Sequence, residues 1–219
     1  MKKILSLVLS LVLIVTLVGC GSTAPVQSAS PTASQGQSGA NSPGPAEKTV
    51  KIGLIFPLSG SNADQGVFNV DGAKLAVEDI NAAGGIKSLG GAKIELVIYD
   101  NESDSDKCKN VAERLINENP DVVAIHGASA SAYVLPMLSV FEKAGIPFLT
   151  AQTSETITSQ GYKYVFAFAA QSPQFAQTQV DMLEWLNKEL SLNITKVGIV
   201  YEDTEWGLTN SAAARKSIG

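Results

Sequence analysis

The chain has 219 residues, 45% of them hydrophobic and 17% charged, which suits a folded globular protein of one or two domains. Its formal net charge of −5, with no basic stripe along the chain, argues against a nucleic-acid partner. The single histidine, His126, excludes motifs that need two.

The first twenty residues, MKKILSLVLSLVLIVTLVGC, set two lysines before an apolar run of mostly Leu, Val and Ile. That is the form of a secretory signal peptide, 1–20, and it stands outside any fold. The run approaches membrane-spanning length. Its ending, LVGC, resembles instead the lipobox of bacterial lipoproteins. The resemblance implies cleavage before Cys20 and lipidation of its thiol, which would anchor the protein to the outer face of a membrane. Residues 21–48 are small and polar, rich in Ser, Pro, Gln and Gly, with almost nothing apolar to bury. They are expected to form a disordered tether. With Cys20 consumed by lipid, Cys108 has no cysteine left to pair with.

From residue 49 the pattern changes. VKIGLIF is nearly continuous apolar sequence and predicts a strand buried on both faces, as in a parallel sheet. After the loop PLSGSNADQG, a helix is predicted over 69–85, with Ala73, Ala76, Val77 and Ile80 on one face and Gly84–Gly85 as a stop. AKIELVIYD reads as the second strand. DSDKCKNVAERLINENP reads as a helix burying Cys108, Val111, Ala112 and Leu115. DVVAI is the third strand and SAYVLPMLSVFEKAG the third helix, with Pro136 as a candidate kink. IPFLT and YVFAFAA are short strands. SPQFAQTQVDMLEWLNKEL is a helix with Ser172 as cap and Pro173 at its first position. KVGIVYE is a further strand, and a last helix begins near Thr209. Alternation of this kind predicts a doubly wound α/β fold. Ligands in such sheets sit beyond the carboxyl ends of the strands, which selects the loops 57–66, 100–106, 126–131 and 150–156.

Those loops carry no catalytic set. HGASAS lacks the last glycine of a nucleophile elbow, and no Walker lysine or GxGxxG follows the first strand. YDNESDSD lacks the central glycine and closing glutamate of a calcium loop, and Asp104 or Asp106 near a helix start explains it better. No enzyme, cofactor or metal is expected, and His126 reads as structural. What remains is short, uncharged and polar: Ser129, Ser131, Thr150, Gln152, Thr153 and Ser154. Ser129 or Ser131 at a helix start would hold a small carboxylate. The same serines would equally serve as ordinary helix caps.

Several stretches together carry a wider resemblance: IGLIFPLSG, GAKLAVEDINAAGGI, IELVIYDNESDSDKCKNVAERLI, AGIPFLTAQTSETIT and KVGIVYEDTEWG, in that order. The chain from about Val50 onward resembles the solute-binding proteins of ABC transporters, in the branched-chain amino acid receptor branch. The resemblance implies a type I periplasmic-binding-protein-like fold: α/β, with doubly wound parallel sheets in two lobes that close on a ligand. It also implies ABC permease subunits as partners and an extracytoplasmic, lipid-anchored location.

Carried over by position, the carboxylate-gripping serine falls at Ser129, with Ser131 as the alternative register. The loop after the fourth strand contributes Gln152, Thr153 and Ser154. The aromatic that packs on the ligand from the second lobe falls at Trp206, where the family has tyrosine. Gln65 replaces a tyrosine in the first loop, and Phe166-Ala167 stands where the family has Phe-Arg. These departures leave another amino acid, an amide or a small carboxylate as open as leucine, isoleucine or valine.

Family members continue well past the point this chain reaches. Residues 49–170 are therefore expected to be the N-terminal part of the first lobe, and 171–219 the start of an incomplete second lobe. On that expectation residues 49–219 alone carry a half-site without high-affinity binding. A ligand-sensing receptor domain of the same fold is the alternative function, and the lipobox favours the importer.

Overall fold

A computed structural model describes residues 48–218, so the expected signal peptide, the expected lipidation at Cys20 and nearly all of the expected tether lie outside the described residues. Five strands form one all-parallel sheet: β1 (Thr49–Phe56), β2 (Lys93–Asp100), β3 (Val122–Gly127), β4 (Phe148–Thr150) and β5 (Val165–Ala167), in the order β2-β1-β3-β4-β5. Strand β1 is interior, between β2 and β3, and its Leu54, Ile55 and Phe56 are buried, as a nearly continuous apolar run demands.

Two helices cover one face, α2 (Ser105–Glu118) and α3 (Ser131–Ala144). The predicted α2 stripe of Cys108, Val111, Ala112 and Leu115 is buried there against Ile55 and Ile125. From α3, Val134, Met137, Leu138 and Phe141 complete this core, with Phe141 stacked on Phe148 at 4.7 Å between ring centroids. Helix α3 runs through Pro136 without a break.

The other face carries α1 (Ala63–Ala82) over β1 and β2, with Val70 packed on Leu54 and Phe56. This helix begins six residues before the expected Asn69. Gly66 makes the early start possible: a Cβ there would lie 1.7 Å from the Pro57 carbonyl oxygen, so only glycine lets the first turn sit on that loop. Val70, Ala73 and Val77 face the sheet, whereas Ala76 and Ile80, expected on the same face, are exposed. Beyond α1 this side of the sheet stays open, and Leu149, Phe166 and Phe168 are exposed.

Residues 171–218 supply α4 (Ser172–Leu190) and α5 (Glu205–Ile218), packed on each other. The α4 N-cap is Gln171, which moves Ser172 and Pro173 one position further in than expected. Helix α5 starts at Glu205 rather than near Thr209. KVGIVYE, expected as a strand, is not one, and Val200 is fully exposed. A strand needs a neighbour to take its N–H and C=O groups, and no described segment pairs with 196–202.

Candidate functional site

The sheet order places β1 beside β3, and the connections leave those two strands in opposite directions. The crevice beyond their carboxyl ends is where a parallel sheet offers free backbone groups to a ligand. Loop 57–62 forms one wall. Asp100, at the end of β2, holds it: Oδ1 accepts from the N–H groups of Leu58 and Glu102, each at 2.7 Å, and Oδ2 accepts from Ser59 Oγ at 2.7 Å. Burial pushes the Asp100 pKa up, but the hydrogen bonds from Ser59, Leu58 and Glu102 outweigh it and hold the carboxyl below its ordinary value. Ser103 stitches the same loop, donating to Ser59 O at 2.7 Å and accepting from Asn62 N at 3.0 Å.

The second wall comes from β3. A Cβ on Gly127 would sit 2.5 Å from Ile55 O, so the strand end lies tight on β1 and aims the following loop. That loop carries Ser129 into α3. The α3 N-cap is Ala130, which has no side-chain cap. The serines therefore do not cap this helix. Ser129 is nearly buried and accepts a hydrogen bond from Asn69 Nδ2 of α1 at 3.3 Å. Ser131 is fully buried, and its hydroxyl has no partner. An orphan of this kind beside free helix N–H groups is costly unless something fills the place.

The loop after β4 closes the third side. Gln152 donates through Nε2 to Ala128 O at 2.8 Å and ties this loop to the one carrying Ser129. Thr153 O accepts from both N and Oγ of Ser172, while Thr153 Oγ1 is buried without a partner. Ser154 is fully buried. It accepts from Thr156 N at 3.3 Å and donates to Glu205 Oε1 at 2.9 Å. Trp206 is half-exposed and lines a groove with Thr153, Phe175 and Tyr201. Gln65 is exposed and meets the site through its carbonyl, which accepts from Asn69 Nδ2 at 2.7 Å.

Ser129 and Gln152 are thus brought to one place, Ser154 to Glu205, and Thr153 to Trp206. Among the described residues no hydrogen bond joins the Ser129 group to the Trp206 group. Two participants were invisible in the sequence, Asn69 and Glu205. Asn69 sits one helical turn after Gln65, in a stretch that reads as the boundary of a loop, and Glu205 is one acid in an acidic run.

Two other reactive side chains belong to the scaffold. His126 lies on the sheet face between Phe56 and Phe168, with Nδ1 3.0 Å from Leu149 O. Cys108 is buried, which pushes its thiol pKa up to about 12, and Sγ donates to Asp104 O at 3.3 Å.

Residues 49–219 match the model of the family described as periplasmic binding protein. The chain is 37% identical over 164 residues to the Leu/Ile/Val-binding protein homolog 8 of Brucella abortus, an overlap of 72% of this chain and 39% of that protein. The periplasmic binding protein type 1 from Bordetella pertussis Tohama I superposes with a TM-score of 0.65 at 31% identity, covering 78% of this chain and 45% of the other. The branched-chain amino acid transporter substrate binding protein LivJ from Streptococcus pneumoniae, in complex with isoleucine, gives 0.63 and 27% identity, covering 78% and 47%. The chain therefore spans less than half the length of these relatives.

Proposed function

Because the chain belongs to the periplasmic binding protein family, we propose that it is the solute-binding component of an ABC importer, holding an amino acid or a similar small carboxylate outside the cytoplasm. It binds and does not catalyse. Residues 49–170 form the first lobe of the site and 171–219 begin the second. ABC permease subunits receive the solute, and lipid on Cys20 keeps the protein at the membrane.

The observation that carries this reading is the start of α3. Its N-cap is Ala130 without a side-chain cap, Ser129 stands at the β1–β3 crevice, and the buried Ser131 hydroxyl has no partner. Free N–H groups with hydroxyls beside them suit a carboxylate and leave it unreacted. In this reading Ser129 takes the carboxylate, with Ser131 behind it. Gln152, Thr153 and Ser154 supply the opposite loop, Trp206 packs on the ligand from the second lobe, and Gln65 edges the entrance. The names of the relatives support an amino acid as the solute, and one solved relative holds isoleucine.

Calorimetric titration of the whole gene product with the twenty protein amino acids tests it. At least one should bind with micromolar affinity. Ser129→Ala should weaken that binding about tenfold or more, the usual loss of a hydrogen bond to a charged group. Unchanged affinity in the variant would remove Ser129 from the site.

A further inference from the structure

The carboxamide of Asn69 meets two oxygens: Gln65 O at 2.7 Å and Ser129 Oγ at 3.3 Å. A backbone carbonyl can only accept, so the amide end that faces Gln65 O is the NH2 and the orientation of the group is fixed. The NH2 carries two hydrogens, one for each oxygen. Ser129 Oγ is then an acceptor from Asn69, and its own proton is left over. Among the described residues no acceptor takes that proton.

We propose that Asn69 is a positioning residue, which by donating to Ser129 leaves the hydroxyl proton free for the ligand and so favours the stronger acceptor, a carboxylate, over a neutral carboxamide at this point of the site. The proposal rests on Ser129 as the carboxylate anchor. Its chemistry follows from the polarity of one hydrogen bond. An aspartate at position 69 accepts only. Ser129 would then donate to it and present lone pairs to the ligand, which suits the N–H of a carboxamide and opposes a carboxylate. A glutamine at 69 keeps the donor.

The test titrates the whole gene product with its tightest binder among the twenty amino acids and with the α-carboxamide of that amino acid. The variants are Asn69→Asp, Asn69→Gln, Ser129→Ala and the Asn69→Asp/Ser129→Ala pair, each checked by its melting curve. The wild type should prefer the acid. Asn69→Asp should weaken the acid about tenfold or more while changing the amide far less, and Asn69→Gln should retain the wild-type preference. The shift in preference should shrink in the Ser129→Ala background, where only the added charge acts.

Equal weakening of acid and amide by Asn69→Asp would overturn the proposal, as would an equal shift with and without Ser129. If Ser129→Ala weakens the acid and Asn69→Asp does not, only the role of Asn69 fails. If Ser129→Ala binds as the wild type does, or no amino acid binds, the underlying reading of the site fails and takes this role with it.

Discussion

The Asp100 carboxylate ends one strand and fixes the loop that leaves another. Two backbone N–H groups and the Ser59 hydroxyl converge on it. Replacing it by alanine leaves those donors to water or to nothing, at a cost of about 1–3 kcal/mol. The pH dependence has a definite sign. The folded-state pKa lies below the ordinary carboxylate value, so the stabilisation is fully present above about pH 4 and is lost as pH falls through the folded pKa. Thermal melts of wild type and Asp100→Ala should therefore differ most at neutral pH, and the gap should narrow as the pH falls below the ordinary carboxylate value. A gap that persists unchanged in acid would assign the effect to packing. At this scale the sequence was legible only in part. Ser129 stands out because strand, turn and helix signals meet there, but its donor Asn69 is one polar residue in a helix. Nothing local marks a side chain that acts on a residue sixty positions away.

Helix α1 carries two glycines in opposite environments. At Gly66 a Cβ would collide with the Pro57 backbone, and at Gly72 it would meet nothing within 4 Å. The same substitution should therefore change sign within one helix. Gly72→Ala should raise stability by about 0.5–1 kcal/mol from helix propensity alone. Gly66→Ala should lower it by about 1–3 kcal/mol, because backbone must shift. Chemical denaturation midpoints of the two variants, falling on either side of the wild type, check this. The contrast also explains why α2 was readable and α1 only partly. The α2 contacts are made by side chains whose 3.6-residue spacing is in the sequence. The first contact of α1 is made by the absence of a side chain, which leaves no periodic signal before Asn69, and Ala76 and Ile80 follow the helical spacing yet face solvent.

At the scale of the molecule, alternation of apolar runs and amphipathic helices was enough to foresee a parallel α/β sheet, because each strand of it is bounded by its own turn signals. The segment 196–202 has the same apolar composition and forms no strand. Composition states what a segment can do, and pairing depends on a partner that the segment itself does not contain. The strand order has a temporal side as well. The first strand of the sheet to leave the ribosome is β1, yet it belongs in the interior, between two later strands, where Thr49 pairs with Lys93 and Leu54 with His126. Both closures span long stretches of chain, and the second waits for β3 to be synthesised. Until then a strand whose last three residues, Leu54, Ile55 and Phe56, belong in the core has one edge unclaimed. In refolding followed by pulsed hydrogen exchange, the amides of β1 and β3 should gain protection in a single phase. Protection of β1 well ahead of β3 would show that the β1–β2 pair stands without its other neighbour.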